Sequence, residues 1–349
     1  MHRARGRLAL PCGPLLPSRY VAMRTYNWAI LGPGHIAHKF AQDLAFVPNT
    51  KLHAVASRSL AKAQEFAATY GAPHAVGSYD ELLAVPGIDA VYIATPHSEH
   101  HAHALLCLRA GLPVLCEKAF TQNAAQAQEV IAAARQGGVF LMEAFWTRFF
   151  PAIYKALELV QAGTIGEVMH LVADFGFRTE FKPEGRLFNP ALAGGSLLDI
   201  GVYPLFISQL FLGQPADVRA VATPTGTGVD QNCAIALAYA SGATATLFST
   251  IAAVTENRCV LYGTKGHLQL LGRFHAPHGV LLKLYDQDQP QEIPCEKQGL
   301  GYHYEAAHVQ ECLAQGLLES PLLPLSFSLE QMQLLDTIRT QIGLRYPGE

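Results

Sequence analysis

Apolar and polar positions follow two regimes along the chain. From residue 24 to about 145, short runs that are apolar on both faces alternate with stretches in which apolar residues recur every three or four positions. A strand covered on both sides reads as the first kind, and a helix packed on one side as the second. The pattern predicts a strand ending at Leu31, then a helix over 36–44 with Ile36 and Phe40 on one face. Pro48, Asn49 and Thr50 end that unit, and a strand follows over 51–56. Helix 60–70 stops at Gly71, and a short helix covers 79–83. Strand 88–94, helix 102–110, strand 113–116, helix 124–135 and strand 139–144 complete the series. Strand and helix in strict alternation predict a parallel sheet with helices on its faces.

Beyond residue 145 the rhythm changes. A helix over 151–161, a strand over 168–177 and a loop over 179–193 lead to an apolar helix over 196–212. Strand-like runs then dominate, at 217–223, 231–240, 244–252, 257–262, 267–271 and 280–285. Ser241-Gly242 and Thr264-Lys265-Gly266 suit hairpin turns, and helices over 304–314 and 329–342 close the chain. The expected fold is an α/β Rossmann-like domain at 24–145 followed by an α+β domain with a mainly antiparallel open sheet at 146–349.

Composition narrows the class. Half of the 349 residues are apolar, 15% are charged, and the formal net charge is −3, which argues against a nucleic-acid footprint or a polybasic membrane surface. The longest apolar runs in the sequence are short for a bilayer span. Seven scattered cysteines with no C-x-x-C pair suggest reduced thiols and a cytoplasmic protein. Residues 1–23 differ from the rest, with Arg3, Arg5, Arg7 and Arg19 but no acid. Leu8, Ala9 and Leu10 mimic a signal core, but Pro11, Pro14 and Pro17 break it, and Met23 resembles a natural start. The expectation there is a disordered extension.

The first strand runs into Gly32-x-Gly34-x-x-Ala37, the shape of a dinucleotide-binding turn. Gly32 permits the sharp turn, Gly34 lets backbone approach a pyrophosphate, and Ala37 lets helix pack on strand. His35 and Ile36 open the helix, whose N-terminal N–H groups and partial positive charge face phosphate. The second strand tip meets the adenosine ribose in such a sheet. An acid there selects NAD. Here Ser57 and Arg58 suit a 2′-phosphate, which favours NADP, with NAD the alternative. A solvated strand end is the bland reading of the same pair.

Two further strand tips lie on the same sheet edge. One is Thr95-Pro96-His97, followed by His100, His101 and His103. The histidines lack a carboxylate or cysteine set at metal-ligand spacing, so no metal is expected and a capped first helical turn explains them. The other tip is Glu117-Lys118, a charged pair after an apolar strand. Its alternatives are a structural salt bridge and a lysine that reaches a reacting oxygen. Asp199 and Tyr203, four apart on an otherwise apolar helix, share a face.

Four motifs therefore occur in order: Gly32-x-Gly34-x-x-Ala37, Thr95-Pro96-His97-x-x-His100, Glu117-Lys118, and Gly194-Gly195-x-x-x-Asp199-x-x-x-Tyr203. Together, over residues 24 to the end, they resemble the Gfo/Idh/MocA family of NAD(P)-dependent oxidoreductases. The stretches 142–149, 199–203, 263–266 and 304–309 resemble its dimeric dihydrodiol dehydrogenase group, which is NADP-dependent and linked to D-xylose 1-dehydrogenase activity. The resemblance implies that Lys118, Asp199 and Tyr203 are catalytic, with Tyr203 as acid/base. A nearby Lys118 is expected to favour the phenolate and to stabilise an alkoxide. Ala119 departs from the proline that usually follows the lysine.

The resemblance also implies a second domain that binds substrate and pairs copies, so a homodimer or higher homo-oligomer is expected. Trp146, Arg148, Phe149, Arg178 and Arg186 are candidate pocket residues for a small polyhydroxylated substrate, and loop packing explains them equally well. The competing function is a non-catalytic NADP-binding sensor on the same scaffold.

Overall fold

The computed structural model describes residues 24–349, and the extension expected over 1–23 lies outside the described residues. Strand β1 (Tyr26–Leu31) holds Trp28, Ala29, Ile30 and Leu31 at zero exposure, so both of its faces are covered. Around it the chain alternates as the pattern predicts. In order come α1 (His35–Leu44), β2 (Thr50–Ala56), α2 (Leu60–Tyr70), β3 (His74–Val76), α3 (Tyr79–Leu82) and β4 (Ala90–Ile93). Then follow α4 (His97–Arg109), β5 (Val114–Glu117), α5 (Ala124–Gly137) and β6 (Leu141–Ala144). The six strands are all parallel in the order 3-2-1-4-5-6. The order reverses between β1 and β4, and a crevice opens at such a switch point beyond the strand C-termini. Gly32, Ser57, Thr95 and Lys118 all follow those ends.

The second sheet has eight strands. After α6 (Pro151–Gln161) come β7 (Val168–Gly176), α7 (Val202–Leu212), β8 (Asp217–Pro224), β9 (Asp230–Ala238) and β10 (Thr244–Thr250). β11 (Cys259–Gly263), β12 (Gly266–Leu271), β13 (Gly279–Leu284), β14 (Gln291–Pro294), α8 (Tyr302–Ala314) and α9 (Leu325–Ile342) complete it. The strand order is 14-13-12-11-7-10-9-8, antiparallel throughout except for the β7–β10 pair. In β9, Cys233, Ile235 and Leu237 are buried while Ala234, Ala236 and Ala238 are exposed. That alternation is what a sheet covered on one face requires.

Several boundaries differ from the sequence pattern. α4 starts at His97 and α9 at Leu325, each after a proline at the N-cap, which has no side-chain oxygen to mark the start. β3 and β14 have three and four residues, too few to display a period. The apolar helix over 196–212 is not one regular helix. Leu197–Gly201 forms a π-helical turn that runs into α7. The segment Pro190–Leu212 has the length and mean hydropathy of a membrane span, but 89% of that window is buried inside the protein, so it is a core element.

Candidate active site

The crevice beside β1 is built from backbone first. Gly32 has φ +92°, and a Cβ there would stand 2.7 Å from Thr95 Cγ2, so the turn requires glycine. Gly34 is the N-cap of α1 and provides no side-chain cap, which leaves the first-turn N–H groups around His35 and Ile36 facing outward for an anion. A cleft of about 310 Å³ lies against Gly32, Gly34, Ser57, Arg58, Thr95 and Pro96. Ser57 is buried, and its Oγ accepts from the Ser59 N–H at 3.2 Å. Arg58 is exposed at the rim. Lys62 and Tyr79 also line this cleft, although no motif marks them. A glycine cradle, an uncapped helix end, and Arg58 and Lys62 together fit the phosphates of a dinucleotide.

Two histidines of α4, His97 and His100, serve the backbone. His100 is fully buried, with Nε2 2.8 Å from the Thr95 carbonyl and Nδ1 2.9 Å from that of Ala119. It ties the end of β4 to the turn after Lys118. His97 Nδ1 faces the Ala193 carbonyl at 3.3 Å. Burial pushes both rings down, to about 3 for His97 and about 4 for His100. These two rings therefore brace the crevice wall through backbone carbonyls. Among the described residues, no group of three or more His, Cys, Asp or Glu side chains is placed to hold a metal.

Glu117 braces the same wall. It is buried, it accepts from the Tyr92 hydroxyl, and its Oε2 takes the Lys118 N–H at 3.1 Å. It anchors the turn from below. Lys118 itself projects across to the second half of the chain. Its Nζ donates to the Asp199 carbonyl at 2.6 Å and stands 3.7 Å from Asp199 Oδ1. Arg186 Nη1 reaches the same Oδ1 at 2.7 Å. Burial alone would raise the Asp199 carboxyl, but Lys118 and Arg186 hold it far below the usual carboxylate range. Asp199 is thus a fixed anion between two cations.

Tyr203 completes the cluster. Lys118 Nζ lies 5.0 Å from its ring centroid, and the Trp146 indole N–H donates to its hydroxyl oxygen at 2.9 Å. Trp146 is itself stacked on Tyr302 at 4.4 Å and 6°. The expected lowering of the phenol by Lys118 is not realised. Burial pushes Tyr203 well above its ordinary value, and Glu117 adds to the rise. The lysine is spent on the Asp199 carbonyl, not on the phenolic oxygen.

The remaining pocket candidates separate. Trp146 and Arg186 join the cluster. Arg148 does not, because it is buried, its Nε donates to the Leu322 carbonyl at 3.0 Å, and its guanidinium covers the Tyr154 ring. Phe149 packs on His308 in the core. Arg178 is exposed and forms no hydrogen bond or ion pair with Lys118, Asp199 or Tyr203 among the described residues. Two side chains carry no motif signal. Asp230 Oδ2 accepts from the Ser196 hydroxyl and from the Leu197 N–H, each at 2.7 Å, and so holds the turn that presents Asp199. His275 lies with its ring centroid 5.5 Å from that of Tyr203. Both come from distant strands or loops, where no local spacing reports them.

Residues 26–145 match the oxidoreductase family with an NAD-binding Rossmann fold, GFO/IDH/MocA. Residues 153–269 match the GFO/IDH/MocA C-terminal domain. The chain is 40% identical over 332 residues to trans-1,2-dihydrobenzene-1,2-diol dehydrogenase of Bos taurus, covering 93% of this chain and 98% of that one. Among solved structures, the 3-ketoreductase KijD10 of Actinomadura kijaniata with NADP and TDP-benzene is 28% identical, with a TM-score of 0.82 over 91% of this chain and 98% of that chain. That reductase has also been solved with a lysine and, separately, a tyrosine replaced. An aldose-aldose oxidoreductase of Caulobacter crescentus with glycerol is 28% identical, with a TM-score of 0.82 over 91% of this chain and 97% of that chain.

Proposed function

The chain belongs to the GFO/IDH/MocA oxidoreductase family, and on that premise we propose an NADP(H)-dependent enzyme that interconverts a hydroxyl and a carbonyl on a cyclic diol or sugar. It is an oxidoreductase of CH–OH groups that binds a nicotinamide dinucleotide. The finer assignment rests on one observation: Lys118, from the tip of β5 on the sheet edge that carries Gly32, converges with Asp199 and Tyr203, from the π-turn and α7 of the second half.

The residues take distinct roles. The bound nicotinamide supplies the hydride chemistry at the reacting carbon. Tyr203 gives its phenolic proton to the carbonyl oxygen during reduction, and as phenolate it takes the hydroxyl proton during oxidation. Trp146 orients that hydroxyl. The Lys118 ammonium stabilises negative charge as it develops on the substrate oxygen. Asp199 and Arg186 fix the lysine. At the far end, Ser57, Arg58 and Lys62 receive the 2′-phosphate that distinguishes NADP from NAD.

Initial rates across aldoses, inositols and cyclic diols, with NADP and with NAD, test this reading. Turnover favours NADP, and Arg58→Ala reduces that preference by about 10- to 100-fold, the worth of one charge-assisted hydrogen bond. Tyr203→Phe and Lys118→Ala each lower turnover by about 10²- to 10⁴-fold while cofactor binding persists. Near wild-type turnover in Tyr203→Phe, on a substrate the enzyme accepts, refutes the acid/base role.

The outward face of the second sheet, with Ala234, Ala236, Ala238 and Val221 exposed, suits pairing with a second copy. We place the homodimer there. Velocity sedimentation should show a dimer that Ala236→Arg converts to monomer. A wild-type monomer at micromolar concentration excludes it.

A further inference from the structure

His275 lies in the loop between β12 and β13 and is 8% exposed. Its ring stacks on Phe175 at 4.1 Å and 5°, and its centroid is 6.1 Å from that of Trp146. Thr147 Oγ1 donates to the His275 carbonyl at 2.7 Å, which ties the loop to the segment that carries Trp146. The ring is thus held rigidly beside Tyr203, at 5.5 Å between centroids. Its Nδ1 is buried and has no hydrogen-bond partner among the described residues. A buried polar atom without a partner is rare in a native fold and calls for a ligand or a functional reason. Burial, with Arg273, Lys118, Lys297 and Lys39 adding to it, pushes this imidazole down to about 3. The ring is therefore neutral and offers one N–H and one lone pair.

We propose that His275 is a specificity-determining residue that hydrogen-bonds a second substrate hydroxyl, on the carbon next to the reacting one. This rests on the reading that Tyr203 handles the reacting hydroxyl. Two polar ring edges this close suit two oxygens on adjacent carbons, one for each ring. Phe175 and Trp146, each in ring contact with His275, supply apolar contact beside these edges. A simple alcohol leaves the imidazole unpartnered, and a site built to hydrogen-bond a hydroxyl discriminates strongly against analogues that lack it. The site then selects vicinal diols and sugars over mono-alcohols.

The test uses the full chain saturated with NADP and two probes, trans-1,2-cyclohexanediol and cyclohexanol. Dissociation constants come from quenching of indole fluorescence, alongside kcat/KM. The wild type should bind the diol at least about tenfold more tightly than the mono-alcohol. His275→Phe keeps the ring, removes both nitrogens, and abolishes that preference by weakening the diol alone. His275→Asn restores a donor and an acceptor and recovers part of it. Equal weakening of both probes in His275→Phe, an unchanged preference, or a wild type without preference overturns the proposal. Tyr203→Phe separates the two readings. Near wild-type turnover in Tyr203→Phe refutes the reading of Tyr203, whereas lost turnover in Tyr203→Phe beside a preference that His275→Phe leaves unchanged refutes the role of His275 alone.

Discussion

Burial pushes the Tyr203 hydroxyl well above its ordinary value of 10.0, Glu117 adds to the rise, and the Trp146 N–H opposes it. The residue therefore stands as a phenol across the physiological range and is ready to give a proton. Taking one requires prior ionisation. For alcohol oxidation, kcat/KM should rise about tenfold per pH unit between pH 6 and 9, while carbonyl reduction stays flat. Trp146→Phe removes the donor that favours the phenolate, so oxidation falls about tenfold further at pH 8 and reduction changes less. A flat oxidation profile sinks the assignment. Asp199 does not compete for the titration, because burial is outweighed by Lys118 and Arg186, which keep it ionised. Spacing singled out Lys118 after a strand and Asp199 and Tyr203 four apart, and only the family resemblance gave them roles. Their protonation states were not, because those depend on Trp146, Glu117 and Arg186, which only the fold brings near.

The turn Leu197–Gly201 sets how those side chains are presented, and it depends on what precedes it. A π-turn adds a residue to a helical circuit and re-aims the side chains around it. Asp199 sits in the turn and Tyr203 just inside α7, yet both meet Lys118. The one-face expectation for two residues four apart is thus met in space through a helix that is not regular. Hydrophobic periodicity cannot show the interruption, since every flanking residue is apolar. Gly195 holds the turn against Asp230. It has φ +114°, and a Cβ there would stand 2.1 Å from Asp230 Oδ1. Gly195→Ala should lose roughly 1–3 kcal/mol through backbone strain alone, and also displace the Asp230 cap. Gly213→Ala is the control, because Gly213 has φ +80° with nothing among the described residues within 4 Å of the added Cβ. Both variants should melt at lower temperature, but only Gly195→Ala should lower kcat. Equal kcat in the two removes the π-turn from catalysis.

Across the whole molecule, the two sheets and their strand types could be read from rhythm, because burial on two faces and on one face leave different patterns. The bonds that join the halves could not, since they link residues far apart in sequence. Asp43 on α1 is such a case. It is 1% exposed, and its carboxylate accepts the backbone N–H groups of Leu300, Gly301 and Tyr302 at 3.0, 2.7 and 2.8 Å. Tyr302 in turn stacks on Trp146, which holds the Tyr203 hydroxyl. A helix of the dinucleotide-binding half is thereby fastened to the segment that backs Tyr203. Burial raises the Asp43 carboxyl, but His303 and those three backbone N–H groups together bring it below 3.8. A carboxyl depressed in the folded state stabilises fully above its unfolded value, and the contribution is lost as pH falls through the folded value. Asp43→Ala leaves two buried donors and one partly buried donor unpaired and should cost roughly 2–4 kcal/mol at pH 7, read by denaturant unfolding. The gap between wild type and variant should hold constant from pH 7 to 5 and narrow below about pH 4. A gap that is as wide at pH 3 as at pH 7 would mean that the carboxylate charge is not what fastens the two halves.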